Sequence, residues 1–371
     1  MHPTLVSILA LPIGQALATK HNLFSGFFSG SQLYGLQFDD EAATLSLTKN
    51  ITTSISASDG SKWIAIDDRH KTIYVTAGSS YLSYSINTDL TLTQTSNITI
   101  PETCNNLNYI APSSSAPYTV FGAPYSTGCA GQAISVTETG ALDAILANIT
   151  YDSNAGVHGL ALSADNKFIY SADDKGNAIW VHSYDNTTVK EVQHISAPSD
   201  ASPRHIAVHP QGRYAYVVFE SANEIGVYSR DAETGMLSFT NTTYPLIPSG
   251  FTNGSAYWSD EVAFSVNTES APKYLYASSR SRSASSPGYV AAFSLTETGA
   301  IREQLVLSET TGSGGAANSV SPAVFSEEYF AITDSESDFV EVWKLSAEEK
   351  AVGVVAHLDL DNGPANVVWY D

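Results

Sequence analysis

The sequence predicts an all-β fold: a seven-bladed β-propeller of four-stranded antiparallel blades, its ring closed by the C-terminal strand. Three observations carry this. The composition suits pleated, half-buried strands, since 43% of the 371 residues are hydrophobic and 15% charged, with 20 Tyr and 14 Phe against 2 Met. A strand-like segment centred on an aromatic residue recurs seven times, about every fifty residues. No stretch sustains a helical period with caps.

The chain opens with an apolar run, Leu5 to Ala18, ending in Ala16-Leu17-Ala18. This is the pattern of a secretory signal peptide over residues 1–18, which leaves a single domain over 19–371. A buried N-terminal strand is the alternative, and it places Gly14, Gln15 and Lys20 badly. No later run reaches the ~18 apolar residues that span a bilayer, so no membrane partner is expected.

The recurring segments are Asn22-Leu23-Phe24, Thr72-Ile73-Tyr74, Ala116-Pro117-Tyr118, Phe168-Ile169-Tyr170, Tyr214-Ala215-Tyr216, Tyr274-Leu275-Tyr276 and Glu328-Tyr329-Phe330. Each is followed by a second alternating strand, such as IWVHSYD or IGVYSRD, and most are preceded by another, such as VHGLALS or RHIAVHP. With strands named A to D from axis to rim, the aromatic segment is strand B. The terminal NVVWYD reads as an A strand with no blade after it, so it should complete the first blade. Six Asn-x-Ser/Thr sequons fit a secreted, N-glycosylated protein: Asn50, Asn97, Asn148, Asn186, Asn241 and Asn253. Asn50, Asn97, Asn148 and Asn241 fall where the outermost strand belongs.

Alternating strand directions put the start of A and the end of B on one face, around the mouth of the axial channel. The start of A supplies His158, Arg204 and Asp260. The end of B, four residues after the aromatic, supplies Asp174, Glu220, Arg280 and Asp334, with Phe28, Gly78 and Gly122 in the other blades. Cys104 and Cys129 fall on the same face, where one disulfide is geometrically reasonable; two buried thiols are the alternative.

With 17 Lys+Arg against 38 Asp+Glu, a net charge of −21 repels phosphate backbones, so nucleic acid is not an expected partner. Two arginines at the mouth of so acidic a protein point to a small anionic ligand, a carboxylate or its lactone. His158 and Glu220 beside them suit acid–base work. There is no metal-ligand spacing, nucleophile elbow or phosphate loop, and neither metal nor cofactor is expected. Structural readings compete. Arg204 and Glu220 can pair as a salt bridge without a ligand, Asp174 and Asp334 can cap loop amides, and His158 can be a satisfied structural histidine. His209 and Asp165 lie in turns on the opposite face and read as turn structure.

Over most of the chain after the leader, several segments occur in family order: GVHGLALS, SPRHIAVHPQGRYAYVVFESANEIGVY, YPLIPSG, YLYASSR, ITD and NVVWYD. On these the sequence resembles the propeller lactonases, a family that includes fungal carboxy-cis,cis-muconate cyclases and propeller-type 6-phosphogluconolactonases. The resemblance implies a site at His158, Arg204, Glu220 and Arg280. Arg204 and Arg280 would bind carboxylates, His158 or Glu220 would protonate the carbon beside the forming lactone, and Asp260 and Asn318 would contact substrate. The family pattern has GGHSN where this chain has Gly314-Gly315-Ala316-Ala317-Asn318, and YRAD where it has Tyr257-Trp258-Ser259-Asp260. The expected function is a secreted, cyclase-like enzyme interconverting a carboxylated muconate and its muconolactone without a metal. A secreted lactone hydrolase and a non-catalytic extracellular or cell-wall glycoprotein are the alternatives.

Overall fold

A computed structural model describes residues 19–69, 71–251, 254–266 and 271–370. The predicted leader and Asn253 lie outside them. The described strands form seven four-stranded antiparallel sheets, each a consecutive meander except the first. Blade 4 is representative, with strands Val157–Leu162, Phe168–Asp173, Ala178–Tyr184 and Val189–Ser196. In blade 1, the C-terminal Pro364–Tyr370 pairs with Lys20–Phe27, Leu23 opposite Trp369 and Phe24 opposite Val368. The ring is closed as the sequence predicts.

The core lies between blades, because each sheet is apolar on both faces and buries each against a neighbour. The blade 4/5 cluster, for example, packs Tyr170, Ala172 and Val181 against Ile206, Val217 and Phe219. The recurring B-strand tyrosine belongs to this packing. Its ring fills the interface with the following blade and its hydroxyl reaches that blade's far edge. Tyr74 donates to Gly140 O at 2.9 Å, Tyr170 to Gly235 O at 2.9 Å, and Tyr216 to Gly299 O. The three acceptors sit in hairpin turns at positive φ (91°, 72° and 89°), which glycine enters without strain.

Two blades depart from the predicted register. In blade 3 the strand is Thr119–Pro124, and Phe121, opposite Ala111, holds the place that Tyr170 holds opposite Ala161. Tyr118 precedes the strand. In blade 7, Phe330 faces back onto Tyr276 of blade 6, with ring centroids 4.5 Å apart. The forward-facing residue is Ala331, buried in the cluster shared with blade 1. The rim positions shift accordingly: Tyr125 replaces Gly122 in blade 3, and Ser335 replaces Asp334 in blade 7. Ala331 pairs with Ser321, which makes Asn318, three residues earlier, the blade 7 counterpart of His158.

Asn50, Asn97, Asn148 and Asn241 lie on fourth strands, and all four, with Asn186, are exposed.

Candidate functional site

The A strands of blades 3 to 6 each carry a register shift at their start, between Leu107 and Tyr109, Val157 and Gly159, Pro203 and Ile206, and Ser259 and Val262. A bulge adds a residue and re-aims side chains, which is why bulges gather at sites. Here it lets two consecutive residues reach the axial cluster, Arg204 with His205 and Asp260 with Glu261. Strict period-2 alternation sends one of each pair elsewhere, so His205 and Glu261 were not legible as site residues.

The structure brings Arg204, Glu220, Asp260 and Arg280 into one buried network. Arg204 Nη1 donates to Glu220 Oε2 at 2.6 Å, and its Nη2 lies 2.5 Å from Asp260 Oδ1. Arg280 is held more loosely, 3.6 Å from Asp260 Oδ2 and 4.0 Å from Glu220 Oε2. Asn318 N donates to Asp260 Oδ2 at 2.9 Å, while both polar side-chain atoms of Asn318 are buried without a partner. Burial opposes charge at Arg204 and Asp260, but their attraction outweighs it: Asp260 and Glu220 raise the arginine, and Arg204 and Arg280 lower the aspartic acid. At Arg280 burial wins and the pKa falls, Asp260 opposing and Arg204 assisting.

His158 lies against this network at 6% exposure. Asn108 Nδ2 is 3.0 Å from its Nε2, His205 Nε2 is 3.2 Å from its Nδ1, and the Tyr125 ring packs edge-on at 5.0 Å. His205 Nδ1 is in turn 2.9 Å from Glu261 Oε2, an ion-pair contact in which neither atom has a hydrogen-bond partner. Burial, then Arg204, His205 and Arg280, push the His158 pKa well below the ordinary 6.5, so the ring is neutral at neutral pH.

Among the described residues Asp174 caps no loop amide; its Oδ2 accepts from the Tyr125 hydroxyl. Burial and then the Glu220 charge raise its pKa, against the Tyr125 bond. Asp334 does cap amides, those of Gly314 at 2.8 Å and of Glu336 and Ser337 at 2.9 Å. Cys104 and Cys129 form the disulfide, on the same face. His209 accepts from Gln211 N within its own turn, and Asp165 from Ser163 and Lys167.

The other end of the axis is a cavity of about 430 Å³ lined by A strands, including Ile64, Ile110, Leu160, Ile206 and Val320. The Trp63, Tyr109 and His205 rings, with centroids 4.8 to 5.3 Å apart, pack along the axis between it and the polar cluster.

The double pairing changes what Arg204 can do. Its charge is already matched by two carboxylates, so its main task is to hold Glu220 and Asp260 in place. Truncation leaves the buried Asp260 and the part-buried Glu220 with only the looser Arg280, a loss of about 3–5 kcal/mol. Arg204→Ala should show that loss in guanidinium unfolding; a change below about 1 kcal/mol would contradict the pairing.

The comparisons with known proteins agree with this architecture. A family model described as "Lactonase, 7-bladed beta-propeller" matches residues 22–356. The chain is 31% identical to the carboxy-cis,cis-muconate cyclase of Neurospora crassa, over 95% of this chain and 99% of that protein. It is 25% identical to muconate cycloisomerase 1 of Cutaneotrichosporon cutaneum, over 95% and 98%. The solved structure of a periplasmic gluconolactonase from Pseudomonas aeruginosa superposes with a TM-score of 0.76 at 16% identity, covering 95% of this chain and 99% of that one.

Proposed function

Because the chain belongs to the seven-bladed β-propeller lactonase family, we propose that it interconverts a carboxylated muconate and its muconolactone at the His158 rim, by proton transfer without a metal. The observation that carries the reading is the environment of His158, a neutral imidazole held at both nitrogens beside two guanidiniums.

The hydrogen-bond chain assigns its tautomer. Asn108 Nδ2 can only donate and lies nearest His158 Nε2, at 3.0 Å, so that nitrogen carries the lone pair. His158 then donates from Nδ1 to His205, which leaves His158 Nε2 as the basic nitrogen, beside the Asn108 amide. In ring closure a substrate carboxylate oxygen bonds to one alkene carbon, the π pair moves to the neighbouring carbon, and protonated His158 Nε2 delivers a proton there. In ring opening neutral Nε2 removes that proton as the C–O bond breaks. One proton is consumed or released per turnover, with no redox change. Glu220, engaged by Arg204 and near Arg280, serves as a fixed counter-charge that holds the guanidiniums. Arg280 and Asn318, with unpartnered donors, orient substrate.

The leader pattern, five exposed sequons and the disulfide support a secreted glycoprotein.

The sign of the pH dependence follows. Groups facing His158 are Arg204, His205, Arg280 and Tyr125. Ring opening needs neutral His158, so its rate should stay level as pH falls through 6.5 and decline only well below it. Ring closing needs the imidazolium and should speed up over the same interval. The test follows ultraviolet loss of 3-carboxymuconate and its return from the lactone, with aldonolactones in a pH-stat alongside. Hydrolysis of aldonolactones with an inert muconate would replace the cyclase by a hydrolase, and silence across the panel would leave a binding protein.

A further inference from the structure

A cavity of about 220 Å³ opens beside the polar cluster, between blades 6 and 7. Its wall includes Trp258, Arg280, Arg282, Ser313, Gly315 and Glu336. Trp258 and Arg280 are direct cross-strand partners, and Arg282 follows two residues later at the strand's exit. Both guanidiniums lie over the Trp258 ring, at 4.7 Å for Arg280 and 4.2 Å for Arg282. The indole therefore holds two like charges side by side.

Neither charge is fully used. Arg282 Nη1 donates to Ser255 O at 3.1 Å, and among the described residues no carboxylate lies within 4.0 Å of its guanidinium. Arg280 is 9% exposed; its Nη1 donates to Gly315 O at 3.1 Å, its Nε has no hydrogen bond, and its carboxylate neighbours stand off at 3.6 and 4.0 Å. Arg204 also has an Nε without a hydrogen bond, but its charge is matched at close range by Glu220 at 2.6 Å and Asp260 at 2.5 Å. Two under-paired guanidiniums in a protein of net charge −21, with Glu336 on the cavity wall in no ion pair with either, form a local positive centre that an external anion can complete.

We propose that Arg280 and Arg282, braced on Trp258, form the receptor for a carboxylate of the ligand, so that the substrate is anchored from this cavity rather than by Arg204. The ligand class is an organic polycarboxylate whose reacting portion extends from the cavity toward His158. That direction rests on the proposed lactone chemistry; the anion site does not.

The experiment is calorimetric titration of the full-length protein with propane-1,2,3-tricarboxylate, its trimethyl ester and inorganic phosphate. It reads binding and not turnover, so an inactive protein that still binds would sink the proposed reaction and leave this site standing. The tricarboxylate should bind, the ester should not, and Arg282→Gln should weaken binding at least about tenfold, the size of one charged hydrogen bond. Arg282 is exposed, so the variant should fold, and circular dichroism checks that it does. Lys190→Gln, on the outer strand of blade 4, controls for loss of charge and should bind as the native protein does. Equal affinity for the native and Arg282→Gln proteins overturns the proposal. So does phosphate binding as tightly as the tricarboxylate, which would mark an unspecific anion site.

Discussion

Deleting residues 364–371 should yield no folded monomer. The segment supplies the inner strand of blade 1, and with it Val367 and Trp369, each 2% exposed in the cluster that joins blades 7 and 1. Burying two such side chains is worth about 3–6 kcal/mol. Asn366 adds two bonds into blade 2, donating to Ile64 O at 2.9 Å and accepting from Ile64 N at 3.0 Å. The deletion also exposes the ladder edge of Lys20–Phe27, a template for association. Against a total stability of about 5–15 kcal/mol, these losses are of comparable size. Far-ultraviolet circular dichroism and size exclusion read the result: aggregated or unfolded protein is expected. A monomer melting like the full chain would show that the ring does not depend on its closing strand.

The fold was legible because a propeller repeats its physics. Each blade needs an apolar B strand that packs on both sides, so the aromatic segment recurs wherever a blade exists, and the unmatched terminal strand followed from counting. Register within a blade was less legible. Tyr118 mimics the B-strand aromatic, yet it follows Pro117, and the strand starts only at Thr119. Phe330 is an aromatic on the wrong face, with Ala331 at the true position. A slip of one residue moves a side chain across the sheet, and these two slips hid Tyr125 and put Asp334 in place of Ser335.

The rim arginines, His158, Glu220 and Asp260 were readable because they recur at two equivalent positions, the start of strand A and the end of strand B, in successive blades. His205 and Glu261 were not, since only a bulge turns them inward and nothing in a period-2 pattern announces one. Asn108 was missed for a plainer reason: it occupies the His158 position in blade 3, but an asparagine there reads as turn polarity. The unequal loads on Arg204 and Arg280 are a matter of distances, which a sequence does not carry.

His158→Ala should fold and lose most activity. The imidazole is buried, yet neutral, so removing it strands no charge, unlike removal of Arg204. Loss of a positioned proton-transfer group costs about 10²- to 10⁴-fold in rate, and the loss should fall on kcat, because the carboxylate anchors remain. Ring closure in deuterium oxide, followed by proton nuclear magnetic resonance, examines the step itself. The native protein should give a lactone carrying one deuterium on the carbon next to the new C–O bond, at a single stereochemical position, and His158→Ala, confirmed folded, should form that product at least about 100-fold more slowly. Equal rates and equal labelling in the two proteins would contradict proton transfer at this imidazole.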